Sequence, residues 1–201
     1  MHGIKRTVLV TGASSGIGRA IARNLLGQGH TVIGISRDCG KFQKTMDNFH
    51  PVQFDLNQLQ ELPQKIRELE QQFPQLDAVI FCAGAGQFGS LEEFSYAQIL
   101  ALMALNFTSP VFLTRALLPS LKRKNRSDLI YIGSEAALKG NRKGTIYCAS
   151  KFALRGFTQA LREECSKDRV RVCLINPGMV KSPFFDGLSF EPGEDGANYL
   201  I

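Results

Sequence analysis

Tryptophan is absent from the 201 residues, and histidine occurs only three times, at positions 2, 30 and 50. Imidazoles so far apart give no metal-ligand spacing. The five cysteines, at 39, 82, 148, 165 and 173, also show no paired spacing. That excludes a zinc ribbon and a disulfide framework, and an odd count fits free thiols in a reducing compartment. Internal repeats and low-complexity tracts are missing. No apolar run is long enough to span a membrane. The start, Met1-His2-Gly3-Ile4-Lys5-Arg6, lacks the apolar core of a secretion signal, so a cytoplasmic protein is expected.

What is present is ordinary in amount and uneven in charge. Hydrophobic residues make up 44% and charged residues 21%, as in a soluble globular domain. Net charge is +6. Lys122, Arg123, Lys124 and Arg126 cluster, as do Lys139, Arg142 and Lys143. These runs read as a solvated helix end and a loop rather than as a nucleic-acid surface, because cations are favourable at a helix C-terminus.

Apolar runs rich in β-branched residues predict strands at 4–10, 31–35, 51–54, 77–82, 128–133 and 170–175. Helical patterns fill the gaps. Ile17, Ile21 and Leu25 share one face, and Leu59, Leu62, Ile66, Leu69 and Phe73 another. Helices are also expected over 107–121 and 149–165, the second with a stripe of Ala149, Phe152, Ala153, Gly156, Phe157, Ala160 and Leu161. Strand–helix alternation of this kind predicts one α/β domain over 1–201, a doubly wound parallel sheet with helices on both faces.

Two motifs carry chemistry. Tyr147 and Lys151 lie four residues apart, one helical turn on one face, with Ser134 thirteen residues upstream. A phenol titrates near pH ~10 in water, and a neighbouring ammonium lowers that value, so the pair is a candidate proton donor and acceptor. At the other end, Thr11-Gly12-Ala13-Ser14-Ser15-Gly16-Ile17-Gly18 joins a strand to a helix. Glycines there allow a tight turn and close approach to a pyrophosphate, and the helix N-terminus offers free N–H groups.

In order and spacing, Thr11-Gly12-x-x-x-Gly16-x-Gly18, Asp55, Ala83-Gly84, Asn106, Ser134, Tyr147-x-x-x-Lys151 and Asn176-Pro177-Gly178 resemble the short-chain dehydrogenase/reductase family from about Ile4 to Pro183. The resemblance implies an oxidoreductase using a nicotinamide cofactor on a small carbonyl or secondary alcohol. Tyr147 would exchange the proton, Lys151 would lower the phenol pKa and hold the nicotinamide ribose, Ser134 would polarise the carbonyl, and Asn106 would anchor a water that relays protons to Lys151. The cofactor would touch Gly12, Ser14, Ser15, Gly16, Ile17 and Gly18 with its phosphates. Asp55 and Leu56 would meet the adenine, and Ala83 and Gly84 the adenosine. Pro177, Gly178, Val180 and Ser182 would meet the nicotinamide.

Ser36 stands where the family's NAD enzymes usually carry an acid, and Arg37 follows. A guanidinium suits a ribose 2′-phosphate, so NADP(H) is expected, with Asp38 as a rival ribose ligand favouring NAD. The family's usual Asn-Asn-Ala-Gly appears as Phe81-Cys82-Ala83-Gly84, which puts the ties of the central strand in doubt. Residues 182–201 read as a substrate lid bearing Phe184, Phe185 and Leu188. The family's last helix and seventh strand are missing, which suggests a C-terminally truncated chain. Helices 107–121 and 149–165 imply a homodimer or homotetramer. A cofactor-binding sensor without turnover is the alternative, and a sugar-nucleotide epimerase is disfavoured by the glycine spacing.

Overall fold

The structure, a computed structural model, describes residues 4–40, 47–180 and 182–185. Six strands, β1 (Thr7–Thr11), β2 (Thr31–Ser36), β3 (Phe49–Gln53), β4 (Leu76–Phe81), β5 (Ser127–Ile132) and β6 (Val170–Ile175), form one sheet in the order β3-β2-β1-β4-β5-β6. Every pairing is parallel. Helix α1 (Gly16–Gly27) follows β1, α2 (Leu62–Gln72) precedes β4, and α3 (Tyr96–Met103) leads into α4 (Ser109–Lys122) before β5; α5 (Thr145–Glu164) precedes β6. The Rossmann-like α/β fold expected from the alternation is present. All six strands fall within three residues of the expected bounds. Expectations for the lid beyond Phe185, including Leu188, and for the missing last strand concern residues outside the described ones.

Strand alternation sorts the core into two layers. Val8 and Val10 face α1, where they pack with Ala22, Leu26, Val32, Ala78 and Ile80. Leu9 points the other way, into a larger cluster with Ile33, Ile35, Val79, Leu129 and Tyr131 under α2, α4 and α5. A period of two along each strand puts alternate residues on opposite faces, which is why both faces need helical cover.

The helix expected from Phe107 begins earlier. One continuous helix runs Tyr96–Lys122, 27 residues, with an 18-residue window of mean hydropathy 1.4, long and apolar enough by those measures to cross a membrane. This corrects the expectation that no such segment exists. In the fold its α4 part lies against β4 and its α3 part against α5, and Asn106, Ser109 and Thr114 are buried along it. Its middle turn, Ala104–Thr108, is π-helical, with one residue more per turn than its flanks.

The stripe along α5 lies mostly on its outer side. Tyr147, Ser150, Lys151, Leu154, Thr158 and Leu161 are buried, whereas Ala149, Phe152, Gly156 and Ala160 are exposed. Phe157 turns inward, its ring 6.3 Å from Phe107 and 6.0 Å from Tyr131.

Charges that no local pattern reveals brace the amino ends of the strands. Arg6, just before β1, pairs with Asp77 of β4 (Nε to Oδ2, 3.0 Å) and with Asp128 of β5, which also receives Arg171 of β6. Asp128 is 4% exposed. Burial alone would raise its carboxyl pKa, but hydrogen bonds from Arg171 and Arg6 hold it below the ordinary value of 3.8. A depressed acid stabilises the fold above its unfolded pKa, and that contribution is lost as pH falls through the folded pKa. Asp128→Asn should therefore lower unfolding stability at pH 7 by about 1–3 kcal/mol. Urea unfolding of both proteins should show the difference shrinking as pH drops below 3.8. A difference that does not change with pH would mean that the brace is not electrostatic.

Candidate active site

The strand order reverses direction between β1 and β4, and both carboxyl ends open onto one crevice there. Gly12 leaves β1 at φ 71°, and a Cβ on it would lie 2.9 Å from the Cα of Ala83. A side chain at this position would be strained and would push the β4 loop away. The tie that the missing asparagines put in doubt is supplied by Thr11. Its Oγ1 accepts hydrogen bonds from the N–H groups of Cys82 and Ala83, both at 3.0 Å. Thr11 is thus a site residue whose role the motif alone did not reveal.

Beside this crevice, Ser14, Ser15, Gly16, Arg19, Ala20, Arg23 and Pro183 line a cleft of about 490 Å³ at the start of α1. Gly16 lies against Ser182, and Gly18 against the backbone of Gly12, close enough that neither a branched nor a small side chain fits at 18. Ile17 is half-buried in the same first turn. The glycine cradle therefore fits a dinucleotide, whose phosphates need bare backbone and a helix N-terminus.

At the end of β2, Ser36 is buried and donates its hydroxyl to the carbonyl of Asp38 at 3.1 Å. Arg37 and Asp38 are exposed, but Asp38 Oδ1 accepts from the N–H of Gly40 at 2.9 Å. Asp55 uses Oδ1 in the same way, on Asn57 N–H at 3.0 Å, and Leu56 is buried beside it. Each acid thus closes a local turn with one oxygen.

The chemistry-bearing side chains converge beyond β4 and β5. Asn106 is 1% exposed and sits in the π-helical turn. Its Oδ1 accepts from Ala85 N–H and its Nδ2 donates to Ala85 O, both at 2.9 Å. Nδ2 also donates to Ser150 Oγ at 3.1 Å, and that hydroxyl donates to the carbonyl of Tyr147 at 2.7 Å. Ser150, inside the Tyr147–Lys151 interval, is a second residue that sequence reasoning passed over. Ser134 extends from the end of β5, with its N–H bonded to Asn176 Oδ1 at 3.2 Å. Pro177, Gly178 and Val180 follow Asn176 at the end of β6, all half-buried.

Lys151 does not reach the tyrosine oxygen. Its Nζ donates to the carbonyl of Ile132 at 3.1 Å and lies 5.7 Å from the centre of the Tyr147 ring. Burial raises the phenol above its ordinary pKa, while the Ser134 hydroxyl beside it pulls the value down. The expectation that Lys151 lowers the tyrosine pKa is therefore not met in the protein alone, since desolvation outweighs a cation turned toward a backbone carbonyl. The lysine itself is shifted: burial brings it down from 10.5 to about 8. Nearby Cys82 is pushed by burial up to about 11, against the pull of Lys151, so it is a neutral thiol near pH 7. A Cβ on Gly84 would come within 3.7 Å of Lys151 Nζ and 3.3 Å of Asn106 Oδ1, so the bare backbone there keeps the lysine approachable.

A family model of the short chain dehydrogenases matches residues 6–191. The chain belongs to that family. It is similar to an uncharacterized oxidoreductase of Staphylococcus saprophyticus, 31% identical over 186 residues, covering 89% of this chain and 80% of that protein. An NADP-dependent 3-hydroxy acid dehydrogenase of Schizosaccharomyces pombe is 29% identical over 189 residues, 89% of this chain and 73% of that one. Among solved structures, a short-chain dehydrogenase from Shigella flexneri complexed with NADP superposes with a TM-score of 0.84 at 30% identity, covering 93% of this chain and 83% of that one. The chain is thus an oxidoreductase of the short-chain dehydrogenase family that acts on a small molecule.

The depressed lysine has a consequence for stability. The unfolded chain keeps the proton up to about 10.5 and the folded one only to about 8, so folding is penalised below pH 8 and recovers as pH rises between the two values. Lys151→Met should raise the unfolding free energy of the cofactor-free protein at pH 7 by on the order of 2 kcal/mol, less what the lost hydrogen bond contributed. Urea unfolding at pH 7 and pH 10 checks this. The gain should shrink at the higher pH, and a Met variant less stable than wild type at pH 7 would overturn the reading.

Proposed function

We propose that this oxidoreductase transfers hydride between NADP(H) and a carbonyl or secondary alcohol, with Tyr147 as the proton donor and acceptor. The observation that carries the proposal is a buried phenol with a hydroxyl beside it and a buried ammonium beneath it, at the carboxyl end of the sheet. The nicotinamide, when bound, supplies the hydride. Tyr147 passes its proton to the carbonyl oxygen in reduction and takes it back in oxidation. Ser134 holds that oxygen in place. Lys151, turned from the Ile132 carbonyl toward the ribose, would lower the phenol pKa and hold the ribose hydroxyls. Asn106 keeps the β4 loop and α5 in register, so that these groups stay aligned.

Gly12, Ser14, Ser15, Gly16, Ile17 and Gly18 would receive the phosphates. Asp55 and Leu56 would flank the adenine, Ala83 and Gly84 the adenosine, and Pro177, Gly178, Val180 and Ser182 the nicotinamide. The choice of NADP(H) over NAD(H) rests on Ser36 and Arg37. Ser36 carries no charge to repel a 2′-phosphate, Arg37 is exposed beside it, and Asp38 has one oxygen engaged by Gly40. The NADP named for the fission-yeast and Shigella relatives agrees with this choice. The exposed Phe112, Phe152, Gly156 and Ala160 support pairing of two copies through α4 and α5. Five free cysteines fit a reducing, cytoplasmic setting.

Tyr147→Phe should abolish NADPH-dependent carbonyl reduction while leaving NADPH binding within a few-fold of wild type, because only the transferable proton is removed. Cofactor fluorescence titration and steady-state turnover separate the two effects. Turnover near wild type would sink the assignment. Arg37→Ala should weaken NADPH binding roughly tenfold and leave NADH binding unchanged, the cost of losing one charge-assisted contact. Equal losses for the two cofactors would place Arg37 away from the 2′-phosphate.

A further inference from the structure

The surroundings of Tyr147 are apolar and aromatic to a degree that proton transfer does not require. The Phe88 ring stands 5.3 Å from the Tyr147 ring at 51°, and the Phe184 ring 5.8 Å from it at 54°. Leu102, Ala136 and Cys148 are buried in the same cluster, with Ala85 and Ile146 packed against it. Phe88 belongs to the loop after β4 and Phe184 to the short turn Pro183–Phe185, so two separate parts of the chain bring rings to one phenol.

They meet over a residue without a side chain. A Cβ built on Gly86 would lie 2.6 Å from Cζ of Phe184 and 2.8 Å from Cε2 of Phe88. No real Cβ tolerates such contacts, so any residue but glycine at 86 would displace one ring or both. Gly86 thus sets how closely the two rings approach each other and Tyr147. The resulting walls are flat faces and edges, which offer offset and edge-to-face contacts to another ring and little to a hydroxylated chain.

We propose that Phe88 and Phe184, seated on Gly86, select a carbonyl substrate whose larger substituent is a flat apolar ring. This inference rests on the reading of Tyr147 as the proton donor, and extends it to the substrate class. The reacting carbonyl points at the Tyr147 and Ser134 hydroxyls, and its ring lies against the two phenylalanines. Phe88 and Phe184 act on substrate binding and leave the proton-transfer groups unaltered.

The test uses the 201-residue chain with NADPH, comparing acetophenone, a flat aryl ketone, with acetoin, a small hydroxylated one. Wild type should favour acetophenone in kcat/KM. Phe184→Ala should raise KM for acetophenone about fivefold more than KM for acetoin, with kcat for the two changing in parallel, as loss of an aromatic contact predicts. Phe184→Leu should recover little of that loss, since it restores bulk without a flat face, and Gly86→Ala should mimic Phe184→Ala. A thermal shift by acetophenone in the absence of cofactor should fall in the same order, which reads binding apart from turnover. Full recovery by Phe184→Leu, or equal effects on both ketones, overturns the inference. Wild type that oxidises NADPH with acetoin but not with acetophenone also overturns it, and leaves the oxidoreductase reading standing. NADPH oxidation with no member of a carbonyl panel overturns that reading, and the inference with it.

Discussion

One buried carboxamide fixes the geometry of the catalytic half. Asn106 bonds both polar groups of Ala85 and the hydroxyl of Ser150, and through Ser150 it reaches the backbone of Tyr147. The loop after β4, the long helix and α5 are thereby joined at a single side chain. An amide enclosed at 1% exposure would be costly without partners, and these three contacts satisfy it. The π-helical turn at Ala104–Thr108 is what turns Asn106 inward, since an extra residue in the turn alters which side chain faces the sheet.

Around that hub the protein maintains an electrostatic tension. Lys151 is almost fully buried, with a backbone carbonyl as its hydrogen-bond acceptor, and its proton is held less tightly than in water. Tyr147 is buried too, and its phenol is harder to ionise than in water. Desolvation shifts an acid up and a base down, so enclosing both groups drives apart two pKa values that lie close together in water, 10.0 and 10.5. Stability is sacrificed where the charge is enclosed, as is usual for sites that perturb ionisation.

The opposite pole of the sheet obeys the same electrostatics with the reverse outcome. There Asp128 is also buried, but Arg6 and Arg171 reach it, and the carboxyl is held ionised. A buried charge with hydrogen-bonded partners braces four strands, β1, β4, β5 and β6, at their amino ends. A buried charge with few partners is left at the carboxyl ends, where ligands bind in sheets of this type.

The alternation of apolar runs and helical faces fixed the strand positions, the parallel sheet and the glycine turn from sequence alone, because these depend on neighbours a few residues apart. The Tyr147–Lys151 interval was legible for the same reason, being one turn of helix. Other features were decided only by tertiary structure. The chain had to fold before Thr11 could reach Cys82 and Ala83, 71 and 72 residues away, or Arg6 could reach Asp128, 122 residues away. Nothing local marks the π-helical turn at Asn106, nor tells that Lys151 faces Ile132 rather than the phenol oxygen. The outward face of α5 carries its small and aromatic stripe, while the inward face carries Ser150, Lys151 and Thr158, whose burial no apolar pattern announces. Composition along a helix ranks faces by hydrophobicity, whereas a site buries the groups its hydrogen bonds can satisfy.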